Sequence, residues 1–192
     1  FIDPMCGSGT LPVEAGLMAL GIPPGAFRKE FGFTKWQNYD KELHYSLLNT
    51  KENKENTHKV DILGMDIDEN AIKTSQVNAE SAGLSKIIRF ETKPFEEFTP
   101  QNIDQGLVIM NPPYDVKMKK ENINDFYKNI GDALKNNFDG FDVWIFSGNK
   151  SAIKSIGLHA NKKITLFNGP IECKFHYFSI YKGSLKKKKL DL

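Results

Sequence analysis

Seven short β-type runs punctuate the chain and set its architecture: Phe1 to Asp3, Val60 to Asp66, Lys86 to Glu91, Gly106 to Met110, Phe141 to Ser147, Lys162 to Phe167 and Lys174 to Lys182. The first five are compact and mostly apolar. The segments between them, such as LPVEAGLMAL, DENAIKTSQVNAESAG and NINDFYKNIGDALKNNF, carry apolar residues at helical spacing. Strands that alternate with helices in this way run parallel, with helices on both faces of the sheet. Asp68 is the predicted N-cap of one such helix, because its side chain can take up free amide hydrogens of the first turn, and Gly83 is the predicted stop. The last two runs are separated only by NGPIEC, residues 168–173, which is too short for a crossover, so they are predicted to be antiparallel. The expected class is α/β, a doubly wound sheet with a reversed hairpin at one edge.

Residues 21–59 break the alternation with a stretch rich in aromatic and charged residues that is too long for a simple loop. Its second half is predicted helical, its first half an ordered excursion near the site. The remainder suits one domain: 192 residues bury roughly 70% of the surface of the unfolded chain. No apolar run approaches the ~20 residues needed to cross a bilayer, so a soluble protein is expected. There is no secretory signal, and Cys6 and Cys173 lie far apart, which favours a reduced, cytoplasmic compartment. A formal charge of +2 does not announce nucleic acid, although Lys186 to Lys189 form a basic tail over 186–192 that is read as solvated or as a contact for RNA phosphates. His44, His58, His159 and His176 share no metal-type spacing, and no metal centre is expected.

FIDPMCGSGT places a strand end, an acid and a Gly-Ser-Gly turn immediately ahead of a helix beginning near Leu11. Gly7 and Gly9 let a ligand come close to the backbone, and a helix N-terminus presents unpaired amides. A dinucleotide fingerprint would need a third glycine where Pro12 stands, and a phosphate loop would need Gly-Lys-Ser/Thr. The second strand ends in GMDID, which puts Asp66 at the same crevice, where a carboxylate can accept both hydroxyls of a ribose. Asp3 suits a cation better than a phosphate. A ligand with a ribose, a cationic amino-acid end and no phosphate describes S-adenosylmethionine.

The fourth strand delivers NPPY into that crevice. The Asn111 amide oxygen and a neighbouring backbone carbonyl are two acceptors, and Pro112 and Pro113 fix φ so that they hold their places. Two convergent acceptors bind both hydrogens of an aromatic amine and free its lone pair for attack on a methyl group. Tyr114 is then positioned to stack on the base.

The ordered set DPMCGSGT, GMDID and NPPY resembles the class I S-adenosylmethionine-dependent amino methyltransferases. More closely, FIDPMCGSGTLPVEA, FGFTKWQNYD and KKITLFNGPIECKFHYFSIYKG resemble the guanine-N2 methyltransferases of large-subunit ribosomal RNA, long labelled as adenine-specific DNA methylases. The similarity covers nearly the whole chain. It implies a Rossmann-like sheet of seven strands with the last antiparallel, S-adenosylmethionine as cofactor, and methylation of a guanine N2 in 23S ribosomal RNA. It assigns Asp3, Pro4, Cys6, Gly7, Gly9 and Thr10 to the methionine end of the cofactor and Asp66 with Ile67 to the ribose. Asn111, Pro112, Pro113 and Tyr114 fall to the amine and base, with Asn111 also bordering the cofactor. One position departs: relatives often carry an Asp after the third strand for the adenine amine, whereas this chain has Pro94, which shifts that contact to the Phe95 backbone amide and ring. The family also implies an RNA-binding THUMP domain ahead of the catalytic domain. The chain opens at Phe1 with a strand already under way, so an upstream part is expected, with residues 1–185 as the catalytic domain. NPPY recognises an amine on a ring, which leaves adenine N6 in DNA or RNA as the alternative acceptor. A non-catalytic RNA-binding module that retains the fold is the alternative of a different class.

Overall fold

The computed structural model describes residues 1–23, 25–28, 30–49, 60–113 and 120–181. The strands are β1 (Ile2–Asp3), β2 (Ile62–Asp66), β3 (Ile88–Thr92), β4 (Gly106–Met110), β5 (Phe141–Ser147), β6 (Lys162–Asn168) and β7 (Ile171–Ser179). The helices are α1 (Thr10–Ala19), α2 (Lys41–Asn49), α3 (Glu69–Ser81) and α4 (Lys120–Asn137). All seven strands share one sheet in the order β3-β2-β1-β4-β5-β7-β6. The first five pair in parallel, and β7 runs antiparallel to both of its neighbours. The chain winds outward from β1 to β3 and then returns to lay β4 against the other side of β1, which makes the β1–β4 border the switch point of the sheet.

Alternation within the strands divides the core in two. Val108 and Met110 of β4 and Val143 and Ile145 of β5 share one face, where α4 lays down Ile123, Tyr127, Ile130 and Leu134 at helical spacing. Fully burying each such side chain is worth about 1.5–3 kcal/mol. The Tyr127 hydroxyl, carried into this core, is satisfied by Ser147 Oγ at 2.8 Å. On the opposite face α1 and α3 close over β1 to β3 through Leu17, Ala79, Leu84, Ile62 and Ile88. Asp68 caps α3 as predicted, accepting from Asn70 N–H at 2.9 Å, and Gly83 stops it with φ 72°.

The final hairpin is tighter than the sequence suggests. Asn168 pairs with Ile171, Phe167 with Glu172 and Leu166 with Cys173, so the turn contains only Gly169 and Pro170. Gly169 supplies the positive φ of 57° that such a turn needs. In the insert, α2 accounts for the predicted helix as far as Asn49, and residues 50–59 lie outside the described residues, as does the lysine tail. Ahead of α2, Phe31 stacks on Phe33 at 5.1 Å, and Tyr39 shares a hydrogen bond of 2.7 Å with His44 Nδ1.

Gly131 of α4 lies against the short 3-10 turn Ala152–Ile156, where any Cβ would run into the carbonyl oxygen of Ile156. The Gly131→Ala variant is therefore expected to lose about 1–3 kcal/mol of stability, even though alanine is about 1 kcal/mol the better helix former. Chemical denaturation measures this, and a midpoint equal to the parent's would show that the turn yields freely.

Candidate active site

β1, β2 and β4 end at one edge of the sheet, and each end carries a polar side chain. Asp3 closes β1, Asp66 closes β2, and Asn111 follows β4. The loop from Pro4 to Gly9 is pinned by its backbone. Cys6 N–H donates to the Met65 carbonyl at 2.8 Å, Gly9 N–H to the Cys6 carbonyl at 2.8 Å, and Asn78 Nδ2 to the Ser8 carbonyl at 2.8 Å. Gly7 N–H donates to Asp66 Oδ2 at 2.9 Å, and Asp68 N–H to Asp66 Oδ1 at 3.0 Å. Each carboxylate oxygen keeps a further lone pair, so the half-buried Asp66 can still accept two ligand hydroxyls.

The two glycines of the turn differ. Gly7 (φ 54°) faces open space, with nothing within 4 Å of where a Cβ would stand. Gly9 (φ 82°) backs onto α3, where a Cβ would come within 2.7 Å of Ser75 Cβ. Gly7 thus leaves room for a ligand, whereas the smallness of Gly9 serves helix packing and the left-handed entry to α1. No side chain caps that entry. Thr10, exposed, is the first residue of α1, and Pro12 sits in the first turn, where its missing N–H removes no helical bond.

Asp3 is 1% exposed and accepts a bond from Met5 N–H at 3.2 Å. Burial pushes its carboxyl up to about 7; the Met5 bond opposes this and the Asp66 charge adds to it. A dry carboxylate beside a second acid is a site that seeks a cation. Cys6 is also buried, and burial, then the Asp3 and Asp66 charges, push its thiol up to about 12, which disqualifies it as a nucleophile. It contributes to the loop through its backbone and through an Sγ contact of 3.8 Å with the Gly7 carbonyl.

A cleft of about 510 Å³ opens at this edge. Pro4, Asp66, Ile67, Phe95, Asn111 and Pro113 border it, which brings together predicted residues from four segments. Lys93, Glu96 and Phe126 border it too, and sequence reading missed them. The Phe95 ring is 3% exposed and packs 5.2 Å from the Phe138 ring, so most of it lies in the core while the residue borders the cleft. Asn111 and Pro113 are exposed and Pro112 is buried, and among the described residues none takes up the Asn111 amide. Tyr114 lies outside the described residues. A larger cavity of about 700 Å³ touches the strand starts at Phe1, Asp61, Gly106 and Phe141, away from the edge where ligands of open α/β sheets bind. His176 is buried on β7, and burial, with Lys163 and Lys174 nearby, holds its imidazole below the usual range, as suits a structural histidine.

Residues 1–176 match the family described as RMKL-like, methyltransferase domain. The chain belongs to that family. A Synechocystis sp. protein named an RNA methyltransferase is 37% identical over 181 residues, covering 93% of this chain and 47% of its own length. The ribosomal RNA large subunit methyltransferase K/L of Marinobacter nauticus is 37% identical over 187 residues, covering 94% of this chain and 26% of its own. Among solved structures, SMU.472, named a methyltransferase and complexed with SAH, superposes with a TM-score of 0.81 at 26% identity, over 96% of this chain and 48% of that one. The chain therefore spans between a quarter and a half of these relatives. The family membership makes it a methyltransferase domain, and the sheet, with its antiparallel last strand, is the one the family resemblance implies. No helix among the described residues is long and apolar enough to cross a membrane.

Proposed function

We propose that this domain transfers a methyl group from S-adenosylmethionine to the exocyclic N2 amine of a guanine in 23S ribosomal RNA. The observation that carries the reading is the position of Asn111: an amide at the end of β4 that none of the described residues takes up, on the border of the cleft that Asp66 also faces. The names of the K/L relatives support RNA of the large subunit as substrate, and the SAH in SMU.472 supports the cofactor.

The chemistry of the cleft suits that cofactor. Asp3, buried with no described cation beside it, is the partner for an amino-acid ammonium, and the open side of Gly7 leaves space for the chain that bears it. Asp66 takes the ribose hydroxyls on its free lone pairs, with Ile67 alongside. Glu96 supplies the acid missing at Pro94 and accepts from the adenine amine, while the Phe95 backbone N–H donates to an adenine ring nitrogen. When bound, the cofactor supplies an electrophilic methyl on sulfonium sulfur. Asn111 and an adjacent backbone carbonyl accept the two amine hydrogens, so the nitrogen lone pair points at the methyl carbon. The cofactor would give up its methyl group to that nitrogen and leave as SAH, and the proton the amine sheds would pass to Asn111, backbone or water. Tyr114 holds the base by stacking. The target must be unpaired or flipped to enter. Catalysis rests on positioning and needs no strong base.

The Asp66→Ala variant is expected to weaken SAH binding about 10–100-fold, the range for losing hydrogen bonds to a charged group, with the fold retained; calorimetry at parent-like affinity would sink the ribose assignment. The reading as a whole is tested by tritium transfer from labelled cofactor to large-subunit RNA by the full-length protein, followed by nucleoside mass spectrometry. Label on guanine N2 is expected. Label on adenine N6 would overturn the acceptor, and no transfer would overturn the activity.

A further inference from the structure

Asn111 borders two cavities. Besides the cofactor-side cleft, a second one of about 390 Å³ opens beside it, lined by Thr10, Leu11, Ile109, Phe146, Leu166 and Phe175. The two lie toward opposite faces of the sheet. Phe126 of α4 borders the first, whereas Ile109, Phe146 and Phe175 belong to the alternate positions of β4, β5 and β7, which point away from α4.

The walls of this second cavity have a definite chemistry. Phe146 and Phe175 are cross-strand partners whose rings meet edge-on, 6.3 Å apart at 72°. Phe175 is backed by Trp144 at 4.6 Å, and Trp144 in turn stacks on Tyr177 at 5.0 Å. Side chains in such a stack hold their rotamers, so the wall is stiff. Leu166, 41% exposed, closes the slot from the edge strand. Against these apolar surfaces stand the Asn111 amide and the Thr10 hydroxyl. Apolar walls with one polar end accept a flat heteroaromatic ring that leads with an amino group.

We infer that this cavity receives the target purine of the RNA, with Phe146 and Phe175 as its wall and Asn111 as the border across which the amine meets the methyl donor. The inference rests on the methyl-transfer reading and adds the position of the acceptor. It makes Phe146, Phe175 and Leu166 positioning residues for the base and separates them from the residues of the cofactor cleft. A nucleobase stacked on an aromatic side chain gains about 1–3 kcal/mol, so loss of either ring converts to about a 5–150-fold change.

The test uses the full-length protein with large-subunit ribosomal RNA and labelled cofactor. Phe146→Ala and Phe175→Ala are expected to lower kcat/KM for RNA about 5–150-fold while SAH affinity and melting temperature stay near the parent's. Because truncating a ring can loosen the sheet, Leu166→Trp provides the second arm: it fills the slot from the exposed edge strand, and should abolish transfer to RNA while SAH still binds. Transfer by Leu166→Trp at the parent rate overturns the inference. So does a joint fall of melting temperature and SAH affinity in both phenylalanine variants, which would mark this face as the seat of another segment of the protein. If the parent itself transfers nothing, the methyl-transfer reading fails; if the parent is active and all three variants match it, only the placement of the base fails.

Discussion

Replacing Asn111 with alanine is expected to slow methyl transfer by about 10²–10³-fold while leaving SAH affinity nearly unchanged. The size follows from what the side chain does. It makes no bond to the described residues, so its removal breaks none of theirs. The cofactor keeps Asp3, Asp66 and the loop backbone, and the ground state of the cofactor complex is untouched. What disappears is a preorganised acceptor that aims the amine lone pair. The loss should therefore fall on kcat more than on cofactor binding. Single-turnover transfer measured beside calorimetry separates the two terms, and normal turnover in the variant would remove the mechanism altogether.

The second large effect concerns Asp3. Its carboxyl titrates near 3.8 when exposed and near 7 in the fold, so the fold prefers the neutral acid. Its contribution to stability is fully present below about pH 4 and is lost as pH rises through about 7, a total near 4 kcal/mol. A bound ammonium reverses the preference by pairing with the ionised form. The Asp3→Asn variant should melt on the order of 10 °C higher than the parent near pH 8, and match it near pH 4. The same variant should bind SAH about 10²-fold more weakly, since a buried charge then lacks its partner. Near pH 6 the parent should release about one proton on binding, read from calorimetry in buffers of different ionisation enthalpy. Parent-like affinity in the variant would end the assignment of Asp3 to the ammonium.

The placement of Asp3, Asp66 and Asn111 at one edge of the sheet was legible because strands end there. A run of apolar residues followed by Asp3, Asp66 or Asn111 announces both the strand and the edge at which its last side chain emerges. The helix signals at Asp68 and Gly83 were equally local, each a matter of one side chain or one φ angle. What stayed hidden depends on distant packing. Glu96 and Phe126 reach the cleft only when the segment after β3 and the start of α4 fold over it. The role of Gly9 is set by Ser75 on another helix, and the fate of the Phe95 ring by Phe138. The short hairpin turn was obscured because Ile171 and Glu172 are both exposed, so their side chains carry no inward alternation to mark a strand.

The order of the strands in space has a consequence for biosynthesis. Although β7 follows every other strand along the chain, it lies between β5 and β6. While the ribosome is still translating, β5 ends the sheet and β6 has no neighbour to join, so the nascent domain carries an open β edge beside Trp144 and Phe146. A premature stop before Ile171 would forfeit two strands rather than one, and would leave that edge free for intermolecular pairing.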